Sequence, residues 1–429
     1  MQGWLPVAVQ ILAVVALLCA IGWRSRRWRT GWLPVSVLLG VLTSVVAQWI
    51  FRSLGIASEP APWLLWLWVA LTGTAAAVAV AGWAGAGWSR RNVSIFAASM
   101  CLLSTGLVVN GWIGYFPTVY TAWNQLTDGP LPNQTDWAGV VELQRGGAQP
   151  STGVLLPVTI GAEASQFPHR EEYVYLPPVW FTSNPPPQLP VVMMIGGQFN
   201  TPADWVRAGD AVATLDAFAQ AHAGNAPVAV FVDSTGTFGN DTECVNGPRG
   251  NAADHLTQDV VPFMTEHFGV SSDQTHWGVA GFSSGGTCAL NLTVMHPDMF
   301  SAFLDIAGDL GPNAGTKAQT IDRLFGGDAE AWAAFDPATV IEKRGTYDGV
   351  AGLFVVPGAG PGGSDSYRLA ASTLAELGNA HGIRSSVSAL PGRHVWPFAS
   401  TAFAAALPWL AGELDTPGTP PSAVPRSTT

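Results

Sequence analysis

Residues 275–286 read Thr275-His-Trp-Gly-Val-Ala-Gly281-Phe-Ser283-Ser-Gly285-Gly286, and the organisation of the C-terminal two thirds of the chain follows from them. The stretch contains G-x-S-x-G. With 48 glycines in the chain that pattern alone is weak. Its setting gives it weight: an apolar run, Trp277–Ala280, precedes it and a helical pattern from Gly286 to His296 follows. A strand–turn–helix of this kind lifts a serine hydroxyl clear of the backbone at a helix N-terminus, where amide N–H groups and the helix dipole favour developing negative charge. Gly281 and Gly285 are expected where strand and helix backbones come too close for a Cβ atom.

Outward from this turn, short apolar runs alternate with helical patterns. Val154–Ile160 and Tyr173–Leu176 predict strands, as do Val191–Ile195, Val228–Val232, Ala302–Ile306 and Leu353–Val356. Runs of this length with apolar residues at successive positions fit strands buried on both faces of a parallel sheet. Between them, Trp205–His222, Ala252–Phe268, Tyr367–His381 and Thr401–Leu414 predict helices. The alternation predicts a three-layer α/β/α domain with a mostly parallel central sheet over 153–414. Residues 118–152 read as a polar linker, and 415–429, with four prolines and small polar residues, as a disordered tail.

Four pieces together resemble the esterase family of α/β-hydrolases, which holds esterase D-like enzymes and the secreted mycolyltransferases. They are Leu189-Pro-Val-Val-Met-Met-Ile-Gly-Gly, the elbow Ala280-Gly-Phe-Ser-Ser-Gly-Gly, His296-Pro-Asp-Met-Phe-Ser-Ala-Phe followed by Ala307-Gly308, and Pro391-Gly-Arg-His394-Val-Trp. They span about half of the chain, and the N-terminal region is not part of the common family pattern. The resemblance implies an α/β-hydrolase fold and ester chemistry without a metal or cofactor. No H-E-x-x-H or comparable metal-ligand spacing is present either.

A serine needs a base to remove its proton. His394 is the candidate among eight histidines: it follows the last apolar strand pattern, sits in a Pro-Gly turn before the final helix, and comes after the serine and the acid in chain order. His255, His267 and His296 fall on or at the end of helical patterns and read as surface or packing residues. Asp365, on the Gly- and Pro-rich loop after Leu353–Val356, is the expected orienting acid. The family acid usually lies nearer the strand end, and Asp309, after the preceding strand, is the rival. The backbone N–H of Ser284 and of Gln198, in Gly196-Gly197-Gln198, are the expected oxyanion donors. Asp241 and Glu243, on the next loop, read as solvated acids near substrate entry.

Composition changes sharply near residue 117. Before it the chain is almost wholly apolar, with stretches Trp4–Trp23, Gly31–Phe51, Trp63–Trp83 and Val93–Phe116. Each is about 20 residues or slightly more, enough to cross a hydrocarbon core of about 30 Å, and tryptophans cluster at their ends as at a membrane interface. Residues 1–117 are thus a four-helix transmembrane region. No charged residue or histidine falls inside a span, so the region reads as an anchor. Arg24, Arg26, Arg27 and Arg29 follow the first span and Arg90 and Arg91 the third, whereas the second loop has only Arg52. The positive-inside rule places the first and third loops in the cytoplasm and the large domain outside. Abundant Ala and Gly, with Lys317 and Lys343 the sole lysines, suggest a GC-rich bacterial genome, and hence a bacterial plasma membrane. A net charge of −11, with no long basic stretch, speaks against nucleic acid as a partner.

The expected function is that of a membrane-anchored serine esterase acting on a lipid or cell-envelope ester. Two alternatives stay open: an acyltransferase that passes the same acyl group to an alcohol, and a membrane scaffold with a vestigial hydrolase domain. Cys19 and Cys101 lie within spans, whereas Cys244 and Cys288 both fall in the domain placed outside, where disulfides persist. Cys244 belongs to a loop over the same sheet edge as the helix that carries Cys288, which predicts a disulfide between them.

Overall fold

The computed structural model describes all residues except 1–2, 23–24, 55–60, 84–85, 117, 128, 148, 359–364, 421–424 and 426–429. Arg24, Pro117, most of the loop before Asp365 and most of the expected tail therefore lie outside the described residues. The chain divides into two compact units, Met1–Trp123 and Asn124–Thr429.

The first unit is built from α1 (Trp4–Ile21), α2 (Leu33–Leu54), α3 (Trp63–Gly82) and α4 (Trp88–Ile113). A π-helical turn, Trp28–Trp32, leads into α2. All four are long and apolar enough to cross a membrane. Leu18, Leu38, Val80 and Leu102 face outward, while small residues, among them Ala13, Ala75 and Ala97, fill the interior. Gly40 lets α2 approach α3 so closely that a Cβ there would overlap the Ala70 carbonyl and Thr74. Hydroxyls bridge the helices: Ser44 Oγ donates to the Trp66 carbonyl at 2.9 Å, and Thr72 and Thr105 hydroxyls meet at 3.1 Å. Small residues and interhelical hydroxyls suit a bundle whose surroundings are as apolar as its side chains. The fourth helix starts earlier than expected and includes Arg90 and Arg91 in its first turn.

The second unit is organised by an eight-stranded sheet. In chain order its strands are β1 (Val154–Val158), β2 (Glu172–Leu176), β3 (Val191–Ile195), β4 (Val228–Val232), β5 (Trp277–Phe282), β6 (Ala302–Ile306), β7 (Ala351–Pro357) and β8 (Arg384–Leu390). The spatial order is β1-β2-β4-β3-β5-β6-β7-β8. β2 pairs antiparallel with β1 and β4, and the other pairs are parallel. Ile195 pairs with Val232 and Gly281, and Gly281 with Asp305, so the C-terminal ends of these strands form one edge. Because β2 runs the other way, its start, Glu172, lies at that same edge. Four helices recur below: α5 (Ala211–Ala221), α6 (Ser284–Met295), α7 (Asp365–Ala380) and α8 (Trp396–Glu413). α5 packs on α8, and α6 and α7 pack on the short helix Pro337–Arg344, giving three layers.

Several stretches depart from the sequence reading, among them the helix expected over Trp205–His222, which is split into Asp204–Arg207 and Ala211–Ala221. β8 is an additional strand whose polar residues hid it: at the sheet edge, Arg384 and Ser385 remain accessible. The expected linker contains the helix Trp137–Gly146, capped by the Asp136 carboxylate on the Gly139 N–H, and it is tied to β1: the Thr135 N–H donates to the Leu155 carbonyl and the Leu155 N–H to the Asn133 carbonyl, both at 2.9 Å. The helix over 252–268 is interrupted by a π-helical stretch, His255–Val260. At the chain's end Thr416 is buried and its N–H donates to the Ala411 carbonyl at 2.9 Å.

Candidate active site

The turn between β5 and α6 holds Ser283 at φ 61° and ψ −126°, a sparsely populated conformation for a residue with a side chain. What holds it is backbone. The Ser283 N–H donates to the Ile306 carbonyl at 2.9 Å, and its own carbonyl accepts from Gly286 at 2.8 Å. A Cβ on Gly281 would overlap the Gly285 backbone, and one on Gly285 would overlap the carbonyls of Ile195 and Gly196. Both glycines thus serve the close approach expected of them.

His394 reaches the serine from the turn between β8 and α8. Its Nε2 is 3.0 Å from Ser283 Oγ. The imidazole stacks on Tyr367 at 4.7 Å and 18° and lies against Phe282 at 4.7 Å. Burial pushes its pKa down to about 4. A neutral imidazole at hydrogen-bond distance from a hydroxyl can accept its proton.

The opposite ring nitrogen is where the sequence expectation fails. His394 Nδ1 is buried and has no hydrogen-bond partner among the described residues. Asp365 does not supply one: its side chain is 89% exposed and pairs with Arg368 at 2.9 Å. Asp365 opens α7, so its direction is set by the helix start and by the i,i+3 arginine. Asp309 does not supply one either; it is half-buried, its carboxylate accepts from Asn313 at 3.1 Å, and its N–H donates to Thr287 Oγ1.

After β3, Gly197 lies where a Cβ would come within 2.9 Å of the Ser283 Cβ. Asn200 closes this turn: its Oδ1 accepts from the Gly197 N–H at 2.8 Å and its N–H donates to the Gly197 carbonyl at 3.1 Å. The Gln198 and Ser284 N–H groups donate to no other group among the described residues. Arg170 buttresses the turn, donating to the Asn200 carbonyl at 2.8 Å while gripping Asp233 at 2.6 and 2.9 Å. Against the effect of burial, that guanidinium holds the Asp233 carboxyl below its ordinary range. The sequence reading passed over both Arg170 and Asn200; the only local signal was a dense charged run, His169–Glu172, just before a strand.

Residues 169–410 match the profile of the family described as "Putative esterase". That is more than half of the 429 residues. The chain belongs to this esterase family. An uncharacterized protein of Corynebacterium glutamicum is 29% identical over 424 residues, covering 93% of this chain and 92% of the relative. The likeness therefore runs through the apolar helices as well as the esterase domain. Among solved structures, an S-formylglutathione hydrolase from Agrobacterium tumefaciens aligns with a TM-score of 0.50 at 17% identity, over 62% of this chain and 97% of that one. A ferulic acid esterase aligns with a TM-score of 0.47 at 17% identity, over 61% and 99%. At 17% identity the S-formylglutathione hydrolase speaks for the fold alone, here an α/β-hydrolase.

Two further features flank the Ser283 turn of the esterase domain. Cys244, on the loop after β4, is bonded to Cys288 in the second turn of α6, with Cα atoms 5.7 Å apart. Cys19 and Cys101 are free thiols. Beside the disulfide, Asp241 and Glu243 are buried and share a side-chain hydrogen bond, which corrects their reading as solvated loop acids. Burial pushes Asp241 up to about 6 despite Arg249, and burial with the neighbouring Asp241 charge takes Glu243 well above the usual carboxylate range. His255, read as a surface or packing residue, is fully buried between two carboxylates, Glu172 and Asp259.

Proposed function

We propose that this family member is a membrane-anchored serine esterase in which Ser283 is the nucleophile and His394 the base. The observation that carries the reading is the 3.0 Å contact between His394 Nε2 and Ser283 Oγ. Ser283 Oγ attacks the ester carbonyl as Nε2 takes the hydroxyl proton. The oxyanion is received by the N–H groups of Gln198 and Ser284. Collapse of the tetrahedral intermediate expels the alkoxide, which takes the proton from Nε2 and leaves an acyl-serine. Water, deprotonated by His394, releases the acid. An alcohol in place of water makes the same acyl-enzyme an acyltransferase.

The rim favours an apolar acyl group. Among described residues of the second unit the exposed large apolar side chains are Trp137, Phe238, Leu310 and Leu369. Phe238 and Leu310 lie on the loops that follow β4 and β6, at the sheet edge that carries Ser283. Phe238 packs on Phe199, two residues beyond Gly197, at 5.3 Å. Leu310 follows Asp309 on the loop after β6. With the esterase domain on the outer face of a bacterial plasma membrane, as the arginine asymmetry implies, lipid and envelope esters fit both the rim and the location.

Full-length protein in detergent is the material for the test. A fluorophosphonate probe is expected to label wild type and not Ser283→Ala, with p-nitrophenyl hexanoate hydrolysis lost in parallel. An unlabelled, folded wild type would leave a non-catalytic scaffold. Acyl transfer to an added alcohol outpacing hydrolysis would favour the transferase.

A further inference from the structure

Joined to the Arg170–Asp233 pair through the Asp233 N–H lies a buried group of side chains that the ester chemistry does not use. Glu172 opens β2, His169 lies three residues before it, and His255 comes from the helix over 252–268. The His255 ring stacks on that of His169 at 4.3 Å. His255 Nε2 is 3.2 Å from Glu172 Oε1, and Nδ1 is 3.2 Å from Asp259 Oδ2. Glu172 Oε1 also accepts from the Asp233 N–H at 2.8 Å. Glu172 Oε2, on a fully buried residue, has no hydrogen-bond partner and stands 3.6 Å from His169 Nδ1.

We propose that His169, Glu172 and His255 bind one divalent cation of the zinc class. One potential donor atom from each residue already lies within 4.8 Å of the other two. In a tetrahedral site with bonds of about 2.0–2.1 Å, donors are roughly 3.3 Å apart, so side-chain shifts on the order of 1 Å close it. Two independent observations point the same way. First, a buried carboxylate oxygen without a donor is costly, and a cation removes that cost. Asp233 is neutralised by Arg170, leaving the two charges of Glu172 and Asp259 for a dication to balance. Second, His255 carries the support that metal-bound imidazoles usually have, its distal nitrogen held by a carboxylate. Asp259 is itself anchored by the Ala164 N–H at 3.0 Å. The ligand also sits in a π-helical stretch, a distortion frequent at functional sites. Two imidazoles and a carboxylate suit zinc or cobalt, not calcium or magnesium. Of the three side chains only that of His169 keeps any exposure, 8%, so the ion and a water as fourth ligand would enter on that side. The cation would tie the start of β2 to the helix, next to the Arg170 buttress and outside the reacting centre.

The test uses untagged full-length protein in detergent, treated with EDTA and dialysed, with fluorophosphonate labelling as the check of folding. Titration with Co2+ is expected to give visible absorption bands saturating at one equivalent and displaced by Zn2+, and Zn2+ is expected to raise the melting temperature. Glu172→Gln is expected to weaken Co2+ binding at least 100-fold. Asp259→Asn is expected to weaken it about 10- to 100-fold, as for an outer partner of a ligating histidine. His169→Ala, at the accessible ligand, keeps the test open if Glu172→Gln misfolds, and is expected to lose at least tenfold in affinity. No saturable band in labelled, folded wild type, or equal affinity in His169→Ala, overturns the proposal and leaves a histidine bridging two carboxylates.

Discussion

At His394 the two ring nitrogens have opposite surroundings: Nε2 faces Ser283 Oγ at 3.0 Å, and Nδ1 is buried without a partner among the described residues. The base must be neutral to accept a proton, and burial pushes its pKa down to about 4. Activity is therefore expected to fall only as pH drops through the low range. The acid limb of kcat/KM should lie below pH 5, and Asp365→Asn should leave it unmoved. A limb near 6–7 that shifts downward in Asp365→Asn would instead show that this carboxylate leaves Arg368 and reaches Nδ1. Asp305 gives a second expectation. It is fully buried under the nucleophile turn, accepts from the Gly308 N–H at 2.7 Å, and is pushed up to about 7 by burial. A raised carboxyl binds its proton more tightly in the folded state. Its contribution to stability is full below the unfolded value of about 3.9 and is lost as pH rises through about 7. Asp305→Asn is thus expected to melt several degrees above wild type at pH 8 and close to it at pH 4, as followed by thermal denaturation. The proximity of His394 to Ser283 follows from local motifs, a strand–turn–helix and a turn before the final helix, which the sequence displays. The direction of Asp365 was not, since a helix start and an arginine three residues on decide it. Glu172 and His255 are 83 residues apart, and only the sheet order brings them together.

Elements whose neighbours bury both faces were the readable ones. β3, β4 and β6 have the bounds expected from their apolar runs, because nothing polar interrupts a strand buried on both sides. Asp305, the exception within β6, carries the raised pKa just described. β8 escaped notice because an edge strand tolerates Ser385, Ser386 and Ser388. Helix Trp137–Gly146 was hidden by its Pro- and Gly-rich flanks, although Asp136 and Gly147 cap it in ordinary ways. The disulfide is the element-scale feature most open to test. It joins the loop after β4 to α6 across 44 residues. In the chain-entropy account a loop of that size is worth about 4 kcal/mol, or roughly 10 °C in a domain of this size. Cys244→Ser with Cys288→Ser, or reduction, is expected to lower the melting temperature by that order and to slow fluorophosphonate labelling. An unchanged melting temperature would mean that the bond constrains nothing that the fold does not already hold.

For the molecule as a whole, the arginines and the apolar helices make one joint claim, that the esterase domain faces away from the cytoplasm. A reporter active only outside the cytoplasm is expected to be active when fused after residue 117 and silent when fused within 24–30. The reverse pattern would remove the basis for an envelope substrate while leaving the Ser283–His394 contact untouched. Relatives offer another whole-chain comparison, through the π-helical stretch His255–Val260. Such a stretch is an α-helix with one residue too many. Each residue turns an α-helix by about 100°, so the extra one sets the phase between the two ends of the helix. Met264 and Phe268 are held in the core at one end, and His255 owes its inward direction to that offset. Deleting one residue from 255–260 would restore an unbroken α-helix and swing His255 away from Glu172. Homologous chains one residue shorter there are accordingly expected to keep the serine, its histidine and the glycines of the nucleophile turn, and to vary freely at the positions of His169 and Glu172.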